Sequence, residues 1–135
     1  EGIPSVGFSL CDFSFNADFT AAARVAQVIA RKVLKHGLPQ GTLLNVNIPR
    51  FDEKDIRGIK VCRQALAKWQ EKFDERLDPH GRKYYWLTGQ FITYDQGEDT
   101  DEWALANKYV SVVPVHFDLT AHNSIAFINE WNLNV

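Results

Sequence analysis

The side chains with the most capacity for chemistry are four histidines, His36, His80, His116 and His122, and a run of carboxylates, Asp95, Glu98, Asp99, Asp101 and Glu102. A catalytic transition metal needs His and carboxylate ligands at spacings that converge, and these histidines form neither an H-E-x-x-H nor an H-x-H pattern. Their spacing reads as scattered surface or helix-end positions. The carboxylate run suits a hard cation, which takes clustered oxygen ligands, but it lacks the order of an EF-hand loop and reads as a solvated turn. No G-x-S-x-G, P-loop or G-x-G-x-x-G segment occurs, and no serine or cysteine stands in a recognisable arrangement with a histidine and an acid. One pair remains. Asp118 and His122 are four residues apart, neighbours if the segment is helical, and a carboxylate at a helix start is favoured by the dipole. The plain reading is a cap with a solvent-facing histidine; the functional one is a hinge or switch.

The elements that must position these residues are legible in part. Ile3 to Leu10 is a short apolar run with small residues, the pattern of an interior strand covered on both faces of a mostly parallel sheet. From Asp18 the period turns helical: Phe19, Ala22, Val25, Ala26, Ile29 and Val33 share one face. Asn16 or Asp18 is available as a cap, and Gly37 and Pro39 stop the helix. Thr42 to Ile48 is a second strand, which predicts a βαβ unit with a right-handed crossover. Leu66, Trp69, Phe73 and Leu77 fit a helical spacing, while Trp69, Phe73 and Leu77 also fall on one side of a period-two strand. Asp78-Pro79-His80-Gly81 supplies turn residues, and the stretch to Tyr94 is rich in strand formers, so a long hairpin with its tip at Pro79-His80 is expected. Trp103 to Ala106 predicts a short helix, Tyr109 to Val115 a strand closed by Pro114. Asp118 to Trp131 predicts a terminal helix with Ile125, Ile128 and Trp131 on one side and Asp118 or Thr120 as cap.

Among its 135 residues, 45% are hydrophobic and 24% charged, which is a globular composition rather than a disordered one. The net charge of −2, from 15 basic and 17 acidic side chains that are interspersed, leaves no cationic field for a nucleic-acid polymer. No apolar run approaches the roughly 20 residues of a membrane span. Two cysteines far apart, Cys11 and Cys62, read as reduced thiols and predict a cytoplasmic setting. The opening Glu1-Gly2-Ile3-Pro4 has neither an initiator methionine nor a basic signal-type region and reads as a cut.

Three segments taken in order, Leu38-Pro39-Gln40-Gly41-Thr42-Leu43-Leu44-Asn45-Val46-Asn47-Ile48-Pro49, Asp78-Pro79-His80-Gly81-Arg82-Lys83-Tyr84-Tyr85-Trp86 and Tyr109-Val110-Ser111-Val112-Val113-Pro114-Val115-His116-Phe117-Asp118-Leu119-Thr120, are similar to the stationary-phase survival protein SurE family. Gly2 to Leu10, and Thr100-Asp101 before Trp103, extend the resemblance over nearly the whole chain. It implies a metal-dependent phosphomonoesterase that hydrolyses nucleoside monophosphates, with Mg²⁺ or Mn²⁺ as cofactor. In that family a paired-aspartate motif, a serine and an asparagine bind the metal, and a Ser-Gly-Thr turn contacts phosphate. All of these are expected upstream of Glu1, so no catalytic or metal-binding residue is expected in this chain.

The resemblance further implies an α/β fold, the second half of a Rossmann-like three-layer domain with an extended β-hairpin arm and a swapped C-terminal helix. The expected divisions are 1–58 for the second half of the core, 59–94 for the oligomerisation arm, and 95–135 for the return strand and swapped helix. Asp118 and His122 fall where the tail crosses to a neighbour. Trp69, Phe73, Tyr85 and Trp86 are the expected arm anchors, since aromatics dominate interface cores. The implied partners are a nucleoside monophosphate and further copies of the same chain in a dimer or tetramer. The alternative function is a non-catalytic assembly module.

Overall fold

The computed structural model describes residues 3–133; Glu1 and Gly2, with which the resemblance begins, and Asn134 and Val135 lie outside them. Six strands and three helices follow in the order β1 (Ser5–Leu10), α1 (Thr20–His36), β2 (Thr42–Ile48), β3 (Gly58–Val61), β4 (Ala67–Leu77), β5 (Lys83–Thr93), α2 (Asp101–Ala106), β6 (Tyr109–His116) and α3 (His122–Asn129). The chain is a mixed α/β protein. Four strands form one sheet in the order β1-β2-β6-β3, and β4 and β5 pair only with each other.

The βαβ unit forms as its periodicity predicts: β1 and β2 are parallel, from Ser5 opposite Leu43 to Leu10 opposite Ile48, with α1 between them in sequence. Ala22 and Ile29 of α1 are buried against Val46, Ile48, Val110 and Val112 of the sheet, and Val25 and Val33 pack beside them. These are the helix positions at i, i+3, i+7 and i+11, so the 3.6-residue period puts them on one stripe. Phe19 does not join that stripe. It occupies the N-cap position with its ring exposed, because the helix begins at Thr20. Asp18 instead accepts hydrogen bonds from the Thr20 amide and hydroxyl at 2.8 and 2.6 Å.

The expected interior position of the first strand is not observed. Among the described residues β1 pairs with β2 alone and stands at the sheet's edge, with most of its residues exposed. The strand that carries the interior is β6, antiparallel to β2 and parallel to β3. Val110 and Val112 face α1, while Val113 packs with Cys62 and Ala104 of α2 on the other face. This strand runs two residues past Pro114 to His116. Its pairing with β3 ends at Val112, so the proline, which has no N–H to donate, lies beyond the stretch where both edges are bonded.

The ambiguous middle resolves to strand. β4 and β5 are in register from Ala67 opposite Thr93 to Leu77 opposite Lys83. At the tip the Asp78 carbonyl accepts the Gly81 amide at 2.9 Å, and the Asp78 carboxylate accepts the amides of His80 and Arg82 at 2.8 and 2.9 Å. Gly81 has φ +75°, which favours the one residue without a Cβ. Ile59 to Val61 belongs to the main sheet through β3, so the free hairpin starts at Ala67. No residue of either hairpin strand is buried.

Candidate functional site

Alternation along paired strands sorts the hairpin into two faces. Trp69 stands opposite Phe91, Phe73 opposite Leu87 and Glu75 opposite Tyr85, which gathers six large apolar or aromatic side chains, with Leu77, on one face. All of them are exposed, Phe73 at 65% and Leu87 at 59%. Gly89 sits under the Trp69 indole: a Cβ there would lie 2.6 Å from Nε1 of Trp69 and also against the Gln70 carbonyl. The glycine therefore lets the indole lie flat on the strand. Tyr85 donates to Glu75 Oε2 at 2.9 Å and Lys83 pairs with Glu75 at 2.8 Å, so the carboxyl is held below its ordinary range, chiefly by the lysine. Trp86 is not with the other three expected anchors. It stands opposite Asp74 on the reverse face, edge-on to Tyr84 with ring centroids 6.4 Å apart. A strand's two-residue period places Tyr85 and Trp86, as neighbours in sequence, on opposite sides.

In the tail, Asp118 Oδ2 and His122 Nε2 are 2.7 Å apart, and Asp118 Oδ1 accepts the Thr120 amide at 2.9 Å. The expected pair is thus formed, but neither Asp118 nor Thr120 caps the helix. α3 starts at His122, and the N-cap position is Ala121, which makes no side-chain hydrogen bond. Asp118 stabilises the turn that leads in. Hydrogen bonds from Thr120, then from His122, hold its carboxyl down to about 2. A depressed carboxyl stabilises the turn fully above its unfolded value, about 4, and that contribution is lost as pH falls toward the folded value. Replacing both residues (Asp118→Ala with His122→Ala) in the full-length protein is expected to leave it folded. Its melting temperature should fall by only about 2–4 °C, as suits exposed contacts. Its distribution between assembly states should change in light scattering. A variant identical to the parent in both would reduce the pair to surface decoration.

The acidic loop is not an open cation site. The Arg63 guanidinium bonds Asp95 through Nη1 and Nη2, at 2.5 and 3.0 Å, and Asp99 through Nε at 2.8 Å. Arg63 holds the Asp95 carboxyl well below the usual carboxylate range. Thr100, buried at the start of α2, accepts the Trp103 amide as a true N-cap, and Asp101 accepts the Ala65 amide.

Sequence reasoning did not mark the cleft of about 570 Å³ at the carboxyl ends of β1 and β2, beside the start of α1, lined among others by Asp12, Asp18, Arg50 and Glu53. Such a crevice is the ordinary ligand position in an open α/β sheet. Only the pairing of the two strands makes it visible. Four of its five carboxylates have partners: Asp12 the Ser14 amide and Arg50, Asp18 Thr20, Asp52 Lys54, and Glu53 Arg24. Among the described residues no three His, Cys, Asp or Glu side chains gather to hold an ion. These donors do not fit a divalent-metal ligand set, which needs several oxygens converging on one point. Both cysteines are free, their thiols pushed up by burial. No helix among the described residues is long and apolar enough to cross a membrane.

The family model described as Survival protein SurE matches residues 1–71. The 5'-nucleotidase SurE of Flavobacterium psychrophilum is 58% identical over 134 residues, 99% of this chain and 52% of the relative. That of Christiangramia forsetii is 59% identical over the same shares. A solved structure, the SurE protein from Aquifex aeolicus, superposes with a TM-score of 0.77 at 39% identity, covering 98% of this chain and 53% of that one. The chain spans about half the length of the curated relatives it matches.

Proposed function

The chain belongs to the SurE survival-protein family, and from that premise we propose that the longer protein is a metal-dependent nucleotidase, in which water cleaves a nucleoside monophosphate to nucleoside and inorganic phosphate. The carrying observation is identity of 58% sustained over 99% of the chain with a 5'-nucleotidase. A divalent ion, Mg²⁺ or Mn²⁺, neutralises phosphoryl oxygens and activates water when bound. We place its ligands in the part of the family's length that this chain does not span, since most of the carboxylates at the cleft are engaged with their own neighbours. The setting is cytoplasmic, in keeping with two free thiols.

The part in hand contributes a Rossmann-like half-core and the means of assembly into a homo-oligomer. Two features support the second role. The hairpin exposes a face of aromatic and aliphatic side chains that nothing among the described residues covers. The tail helix carries Ile125, Phe127 and Ile128, all exposed, and an apolar groove of about 390 Å³ between α1 and β3, lined by Val28, Val33 and Val61, also lies open. A helix of eight residues is unstable alone and needs a surface to dock on. An uncovered helix and an uncovered groove in one chain suit exchange of the tail between copies.

The test is phosphate release from nucleoside monophosphates by the full-length protein with Mn²⁺ or Mg²⁺. Turnover that chelator abolishes and added metal restores is the expected result. Its absence with every metal and nucleotide would leave a non-catalytic assembly module as the function.

A further inference from the structure

The arm is a lever held at one end. Eleven residues per strand at about 3.3 Å each make it about 35 Å long, so a 10° turn at its root carries the tip about 6 Å. No residue along β4 or β5 is buried, so the main sheet and helices do not brace it. Its direction must come from the two short legs that join it to the core, Arg63 to Leu66 and Tyr94 to Asp99.

We propose that Arg63 is the root clamp that sets the arm's direction, and with it which neighbouring copy the arm reaches. The planar guanidinium engages two acids of the returning leg at once, Asp95 with two nitrogens and Asp99 with the third. Its main chain is fixed as well. The Arg63 amide donates to the Asp99 carbonyl and its carbonyl accepts the Asp101 amide, both at 3.0 Å. Asp95 closes the set by accepting the amides of Leu66, on the outgoing leg, and Gly97. The Asp95 side chain is only 14% exposed, whereas Arg63 is half exposed and Asp99 lies at the surface, so Asp95 is the anchored acid of the clamp. Space at the clamp is shaped for the fork: a Cβ on Gly97 would lie 2.7 Å from Nη2 of Arg63 and 2.6 Å from Asp99 Oδ1. Lysine keeps the charge of Arg63 but is a point donor that cannot span two carboxylates in a fixed plane.

The effect on assembly rests on the arm reading above; the direction of the arm does not. The full-length protein, with Cys11→Ser and Cys62→Ala, carries spin labels at the tip (His80→Cys) and on α1 (Lys35→Cys) and is diluted with unlabelled protein so that distances within one chain dominate. Pulsed dipolar spectroscopy should give a tip-to-core distribution that broadens about twofold in Arg63→Lys and in Gly97→Ala. Gly97→Ala removes no charged group and presses a methyl against the side-chain ends of Arg63 and Asp99, which can shift, so it is expected to fold even if Arg63→Lys does not. Both variants should also shift the oligomer distribution. An unchanged width in both folded variants overturns the clamp, including where their melting temperatures fall, since lost stability alone does not alter direction. A broadened width with an unchanged oligomer distribution sustains the clamp and sinks the arm's role in assembly.

Discussion

Removing Trp69 to Trp86 from the full-length protein, with a short turn bridging the cut, is expected to lower its oligomeric mass in light scattering. The hairpin can leave without unfolding the core because none of its strand residues is buried and its strands pair only with each other. What is lost is an exposed apolar face, and contiguous apolar surface of this kind is maintained where a partner covers it. The register makes the test sharper. Trp69 and Phe73 share the apolar face, so replacing both by alanine should weaken association by at least about 2 kcal/mol, as for central aromatic anchors. Trp86→Ala, on the reverse face, should change it by less than about 1 kcal/mol. Unchanged mass after the deletion would end the assembly reading, and an equal effect of Trp86→Ala would assign the contact to the wrong face.

The 135-residue chain by itself should release no phosphate from nucleoside monophosphates or p-nitrophenyl phosphate in Mn²⁺ or Mg²⁺, whereas the full-length protein is expected to do so. Phosphate monoesters are among the slowest of uncatalysed hydrolyses, so without a positioned ion the rate should drop to the buffer background, a loss of at least about 10³-fold. Most carboxylates of the cleft and the acidic loop are held by partners: Asp95 and Asp99 by Arg63, Asp12 by Ser14 and Arg50, Glu53 by Arg24. Metal-dependent turnover by the pure chain, in proportion to its concentration and absent from a mock preparation, would falsify this assignment and return attention to the cleft beside Asp12.

Local pattern alone determined the helix from Thr20 to His36, the strands on either side of it and the turn at Asp78 to Gly81. In each, the deciding information lies within about a dozen neighbouring residues: a 3.6-residue stripe, a β-branched run, a proline and glycine in a turn. The ordered motifs around Thr42, Asp78 and Tyr109 carried the family in the same way, since they are strings of residues and need no geometry.

What only the tertiary structure decided depends on residues far apart in the chain. That β6 lies between β2 and β3 follows from pairings across tens of residues, which periodicity does not record. Strand register decided that Tyr85, and not its neighbour Trp86, shares the face of Trp69 and Phe73. Arg63 gave no signal in sequence because its partners are 32 and 36 residues away, and the same separation hid the engagement of the acidic loop. The tail shows the limit at short range: Asp118 and His122 do meet, but a turn rather than a helix joins them. A spacing of four permits that contact in either conformation, so spacing named the pair while backbone geometry decided that Asp118 stabilises the approach to the helix instead of capping it.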